Sequence, residues 1–390
     1  MGVPSPQSEA QTAALLAVRA ETERLAAPLT AEDQALQSMP DCSPVKWHRA
    51  HTTWFLETFL LGPAGFAPVD ARYGFLFNSY YDAVGPRHPR PQRGLLSRPS
   101  SQEVGRYRAA VDERLAAWLP TVTDPRILGV VALGMAHEEQ HQELIRTDIL
   151  HAFSLNPLRP AWGAFPRASA GGAGWVPHPG GLCEIGASGD AFCFDNEGPR
   201  HRVWLEPFEL ARGLVTLGQV RAFAAEGGYR TPVLWLAAGW DAVRAQGWEA
   251  PLHTRFEDGA IVVFGPDGER EAAADEPARH LSAFEADAIA RWAGARLPTE
   301  AEWEVSAGAL DAAHDVAWQW TSSAYSAYPG YRAAAGALGE YNGKFMAEQL
   351  VLRGGSDFTP LGHSRASYRN FWPAATRFQR TGLRLARDIR

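Results

Sequence analysis

The sequence predicts an α+β protein of two domains, and three observations carry that reading. At 390 residues the chain is longer than one hydrophobic core usually serves, so it should divide. From Ser8 to about His151 apolar residues recur at helical spacing, whereas after Gly181 short apolar and aromatic runs alternate with turn residues. Residues 1–156 are read as a helical domain, the Pro- and Gly-rich stretch 157–181 as a linker, and 182–390 as an irregular α+β domain.

Four helices are expected in the first domain. Glu9 to Ala26 sets Leu15, Leu16, Val18 and Leu25 among charges, as an amphipathic helix would. A second should start at the N-cap Ser43, with Pro44 in its first turn, and stop at Gly62. The third runs from about Ser101 to Leu119; Ser100 and Glu103 have capping-box spacing and Pro120 marks the exit. The fourth spans Pro125 to Phe153 and carries the densest cluster of histidines. Helices of this length suggest an antiparallel bundle with a site between facing helices. Tyr73 to Pro99 reads as a long loop, a length often reserved for function. In the second domain His201–Leu210 and Ala260–Phe264 read as strands, and Ser282 to Ala293 as a helix.

A net charge of −7 argues against binding nucleic acid or an anionic membrane. The N-terminus lacks the apolar run of a secretory signal, and Pro6 stands where a myristoylation signal needs Ser or Thr. No apolar stretch approaches the roughly 20 residues of a membrane span. Cys42, Cys183 and Cys193 form no Cys-x-x-Cys pair and no dense framework, as in a reduced cytoplasmic protein. The expected location is cytoplasmic.

His137-Glu138-Glu139-Gln140-His141 puts two imidazoles about one turn apart on the same helix face, the arrangement needed to clamp one metal. Leu133, Leu144 and Ile145 flank the pair, so the histidines should point inward, and Asp148 can accept from a ring N–H. The string also fits His-Glu-x-x-His of zinc proteases, with Glu138 as general base, but no Gly-x-x-His follows. His51 is the third candidate ligand: it shares one side of the second helix with Trp47, Phe55 and Thr58, while His48 faces differently. Imidazoles alone suit iron, copper, zinc or nickel.

With these residues in view, the chain resembles the ergothioneine-biosynthesis sulfoxide synthases, also called hercynine oxygenases. The resemblance runs through Trp47–Phe55, Tyr80–Arg93, His137–His141, Phe194–His201, Arg296–Glu304, Glu340–Phe345 and Thr381–Leu385. It implies a DinB-like four-helix bundle joined to an α+β domain similar to the formylglycine-generating enzyme, with a C-type-lectin-like core. It also implies non-haem Fe(II) on His51, His137 and His141, O2 as co-substrate, and coupling of a thiol sulfur to the imidazole C2 of hercynine as a sulfoxide.

By the same resemblance Tyr80 or Tyr81 serves catalysis. Arg90 and Arg93 hold the carboxylate of free cysteine, as planar guanidiniums do well. Gln140 lies near the hercynine imidazole, and Asn370, Phe371 and Trp372 close around its trimethylammonium, which only π faces and oxygen atoms can hold. Trp372 stands where a phenylalanine is expected, and Asp357-Phe358 where Cys-Ala is. Selenoneine synthesis and a DinB-type thiol transferase are the alternatives. Formylglycine generation fits poorly, because no cysteine follows Cys193.

Overall fold

The computed structural model describes residues 5–389 apart from Asp190. They divide into two compact units: Met1–Leu158 with Ala335–Tyr341, and Arg159–Ala334 with Asn342–Arg390. Ala335–Tyr341 lies inside the stretch that the sequence assigns to the second domain, yet it belongs to the first unit.

The first unit contains α1 (Pro6–Ala26), α2 (Val45–Leu56), α3 (Tyr73–Phe77), α4 (Ser101–Trp118) and α5 (Pro125–Ser154). The four long helices pack together, α1 against α5 and α2 against both α4 and α5. The capping box predicted at Ser100 and Glu103 is present. At α2 the expectation fails: Pro44 holds the cap position without a side-chain bond, and Ser43 instead donates its N–H to Asp148 Oδ2 at 2.7 Å. The start of α2 is thereby tied to the far end of α5. At its other end α2 widens, and the Gly62 N–H reaches back five residues to the Glu57 carbonyl at 2.8 Å.

Every residue of α2 is buried, which makes it the central helix of the unit. Gly134 of α5 faces it; a Cβ there would meet Leu56 Cδ2 at 2.6 Å. A bare backbone at this crossing lets α5 lie close to α2 three residues before His137. The buried stripe of α1 is largely polar, comprising Ser8, Thr12, Leu15, Arg19, Thr22 and Ala26, and not the apolar set expected. Arg19 and Thr22 turn inward because Glu138 of α5 is fully buried. The Glu138 carboxylate accepts from Arg19 at 2.9 Å, Thr22 at 2.8 Å and Arg108 of α4 at 2.6 Å. The stretch expected as a long loop contains α3 and a helical turn at Arg90–Leu95.

The second unit begins with β1 (Trp175–His178), inside the expected linker, followed by β2 (Gly181–Ile185), β3 (His201–Leu205) and β4 (Phe208–Ala211). Next come α6 (Leu217–Ala225), α7 (Ala237–Gln246), β5 (Thr254–Glu257), β6 (Ala260–Gly265) and β7 (Gly268–Glu271). The chain continues with α8 (Ala283–Trp292), α9 (Glu300–Ser306), β8 (Trp318–Ala324), β9 (Leu350–Arg353), β10 (Asn370–Trp372), β11 (Thr381–Gly382) and β12 (Ala386–Asp388). The strands form small sheets ordered β1-β4-β12, β10-β9-β8-β11, β2-β3 and β5-β6-β7. Trp303, Trp318 and Trp320 fill the core. Buried Glu300 pairs there with Arg353 at 2.8 Å and Arg369 at 2.9 Å. Cys42, Cys183 and Cys193 are all free thiols. Among the described residues no helix is long and apolar enough to cross a membrane.

Candidate metal centre

The helix crossing brings His51 of α2 to His137 and His141 of α5. One ligating atom from each lies within 4.8 Å of the others, and His51 Nε2 is 3.2 Å from His137 Nε2. Metal–imidazole bonds of about 2.1 Å leave neighbouring donors roughly 3 Å apart, so this spacing suits one shared ion. The ring chemistry agrees. α3 ends at Phe77, whose carbonyl has no further helical partner and lies 2.6 Å from His51 Nδ1. With the proton on Nδ1, Nε2 presents a bare lone pair toward the cluster. Burial is the main reason that all three rings stay neutral: His137 falls to about 3, and His51 and His141 lie well below the usual histidine value. Neutral imidazoles are the ligating form.

Glu138 cannot serve these histidines as a general base. Burial works to raise its pKa, but Arg108 and Arg19 more than offset that and hold it at about 2. Its carboxylate belongs to the network between α1, α4 and α5, so the arrangement lacks the acid–base group of a zinc protease.

Around the cluster, the Trp47 indole stacks on His51 with ring centres 4.6 Å apart and carries the Arg93 guanidinium over its ring at 3.4 Å. Arg93 is buried, donates to Ser43 Oγ at 3.0 Å and leaves its Nε without a partner. Burial first, then neighbouring Arg90, lowers its pKa to about 8. Arg90 is exposed and donates to the Asp41 carbonyl. Tyr80 stacks on Tyr81 at 4.6 Å. Tyr81 is fully buried against Trp54, Phe55 and Phe59, and Phe55 in turn packs on His137 at 4.5 Å. The loop is shaped by Asn78, whose side chain binds Tyr81 in both directions, at 3.0 and 3.1 Å.

Tyr341 is the residue that sequence reasoning passed over. Its ring meets His137 edge-on at 5.6 Å, nearer than either predicted tyrosine is shown to come, and its hydroxyl donates to Gln140 Oε1. Glu340 beside it accepts the Asp82 and Ala83 amides at 3.1 and 2.9 Å. The motif containing Tyr341 is visible in the sequence, but no local signal links it to helices some 200 positions earlier.

Comparison with known proteins accounts for both units. Residues 14–145 match the DinB superfamily, and residues 164–315 match the sulfatase-modifying factor enzyme 1-like domain. Hercynine oxygenase of Mycolicibacterium smegmatis is 30% identical, the match covering 90% of this chain and 93% of that protein. The chain belongs to the hercynine oxygenase family. The enzyme of that name from Mycobacterium tuberculosis is 31% identical over 90% of this chain and 92% of its own. A formylglycine-generating enzyme from Thermomonospora curvata is 36% identical, but over only 36% of this chain and 50% of that protein. Membership makes this chain an oxygenase-type enzyme with a DinB-like helical unit and an α+β unit.

Within this hercynine oxygenase homologue, the site residues predicted from sequence fall into both units. His51, Tyr80, Tyr81, Arg90, Arg93, His137, Gln140 and His141 belong to the first; Asn370, Phe371 and Trp372 form β10 of the second. Phe371 stacks on Tyr325 at 4.0 Å, and Trp372 meets Phe378 edge-on at 5.3 Å. The unusual Asp357 is an internal counter-charge, bound by Arg380 and, at 2.9 Å, by Arg279. Phe358 beside it is fully buried. Asp357 and Phe358 therefore serve charge balance and packing inside the second unit.

Proposed function

We propose that this chain uses Fe(II), held by His51, His137 and His141, to couple hercynine with cysteine at the expense of O2, giving hercynyl-cysteine sulfoxide for ergothioneine biosynthesis. The balance is complete. The imidazole C2–H and the thiol S–H are lost, a C–S bond and an S–O bond form, and O2 supplies the sulfoxide oxygen and one water. Ferrous iron supplies the redox chemistry that activates O2. The protein's own part is to gather the reactants and manage protons.

Support for free cysteine rests on Arg93. A buried guanidinium with an unpartnered Nε, above an indole that stacks on a metal-site histidine, is suited to a carboxylate carried by the thiol substrate. Arg90 is the outer of the two arginines in this role. Gln140 is assigned to the hercynine imidazole, and Asn370, Phe371 and Trp372 to its trimethylammonium group. Tyr81 keeps its proton, because burial, then the nearby Tyr80 and Tyr341, push its pKa well above that of free tyrosine. Tyr80 and Tyr81 are assigned proton delivery during O2 reduction, with Tyr341 as a third hydroxyl in the same quarter.

The test is anaerobic loading with Fe(II), then addition of O2, hercynine and one thiol donor at a time. The expected result is O2 uptake that needs both substrates and a product with the mass of the cysteine sulfoxide. A clear preference for γ-glutamylcysteine or a selenosugar overturns the assignment of the donor. Thiol turnover without O2 points to a DinB-type transferase instead.

A further inference from the structure

A polar chain beside the metal centre runs through His48, which nothing described so far uses. His141 Nδ1 lies 2.8 Å from His48 Nδ1. On the other side of the same ring, His48 Nε2 lies 3.0 Å from Asp148 Oδ2. The chain is anchored at its far end, because that oxygen also accepts the Ser43 N–H at 2.7 Å. His48, His141 and Asp148 are all buried, so water does not compete for these bonds. The sequence places His48 on a different face of α2 from His51 and gives it no task; the crossing of α2 and α5 sets its ring between a ligand and a carboxylate.

The polarity of this chain follows from its ends. An ionised carboxylate only accepts, so His48 Nε2 must donate to it. When His48 accepts through Nδ1, His141 carries its proton on Nδ1. Nε2 of His141 is left bare, the form that binds a metal. The opposite polarity would put the proton on His141 Nε2 and remove one of three ligands. Carboxylates often orient metal-bound histidines directly; here a second imidazole stands between them. His51 reaches the same state by a separate route, through the Phe77 carbonyl.

We propose that His48 and Asp148 are positioning residues that hold His141 in the tautomer needed for metal binding, by a two-step hydrogen-bond chain running from the carboxylate. The inference rests on the three-histidine reading of the metal centre and adds to it the groups that decide which ring nitrogen of His141 is available.

Tautomers can be read without metal, by two-bond 1H–15N correlation of the 15N-histidine-labelled apoprotein. His141 should carry its proton on Nδ1 and His48 on Nε2. Asp148→Asn should scramble or reverse both assignments and weaken Co(II) binding about 10- to 100-fold. Two further variants cover the case in which Asp148→Asn does not fold. His48→Leu breaks the chain and should lose affinity by the same factor. His48→Gln, whose amide can donate to Asp148 while its oxygen accepts from His141, should stay within about threefold of the unaltered protein. Unchanged affinity in His48→Leu, or no recovery in His48→Gln, overturns the proposal. His51→Ala is the separate control: if it binds Co(II) normally, the three-histidine centre itself fails, whatever the relay does.

Discussion

Two sides of α5 treat buried polar groups in opposite ways, although they spring from adjacent residues. On one side Glu138 accepts from Arg19, Thr22 and Arg108, and the charge is fully met by protein. On the other, His137 and His141 turn toward His51 with ring nitrogens facing one another at close range and no carboxylate between them. Burying a polar group without partners costs stability. The first side avoids that cost, whereas the second retains it and leaves three neutral donors ready for an ion. A satisfied network reads as architecture and a convergent unsatisfied one as a site, even within a single turn of helix.

The comparison can be broken at several points. The largest effect is expected on the ligand side: His51→Ala or His137→Ala should abolish stoichiometric metal binding and metal-dependent oxidation. For His137→Ala, thermal unfolding of the metal-free protein should change little, because the imidazole removed has an unpartnered Nδ1. Metal analysis together with calorimetry separates the two effects. A large loss of apoprotein stability would show that the histidines are structural.

On the other side, Glu138→Ala should take from Arg19 and Arg108 the fully buried carboxylate they share, leaving them only the more exposed Asp112 and Glu23, and cost about 3–5 kcal/mol in denaturant unfolding. The pH dependence has a defined sign. The Glu138 carboxyl is held at about 2 in the folded protein against 4.5 in a free side chain. Its contribution is therefore complete above pH 4.5 and is lost as pH falls from there toward 2. That shift corresponds to about 3 kcal/mol, and Glu138→Gln should flatten this part of the stability profile.

Next in size, Arg93→Ala should raise the apparent KM for cysteine about 10- to 100-fold, as expected when a buried charge-assisted contact is lost, with less effect on the KM for hercynine. Equal changes in both would reassign Arg93 to holding Trp47. Tyr341→Phe tests the missed tyrosine; the expected outcome is less sulfoxide and more thiol oxidised without coupling, measured by product ratio. The smallest change is Gly134→Val, which should cost about 1–3 kcal/mol by forcing α5 away from Leu56. It should also weaken metal binding if close helix approach is what joins the two ligand sets.

Much of this was legible in local pattern. The spacing of His137 and His141 follows from helical geometry, and the lone histidine on the aromatic face of α2 gave the third candidate, which lies within reach of the other two. Ser100 with Glu103 marked the start of α4 through a rule that acts over three residues. Where the reading slipped, the deciding contact was distant. Ser43 looked like an ordinary helix cap, but its amide is taken by Asp148, 105 positions later. Leu16 and Val18 looked like the buried face of α1, yet Arg19 and Thr22 are turned inward because Glu138 needs donors. Tyr341 carried no periodic signal at all.

By itself, then, the sequence determined which residue types were available for a metal and placed them on helices, because side-chain direction along a helix depends only on nearby backbone. Tertiary structure decided what each histidine ring nitrogen faces, which charges are matched, and which residues from the later part of the chain belong to the first unit. Those outcomes depend on separations of about 3 Å between residues far apart in sequence, and only packing in three dimensions sets such distances.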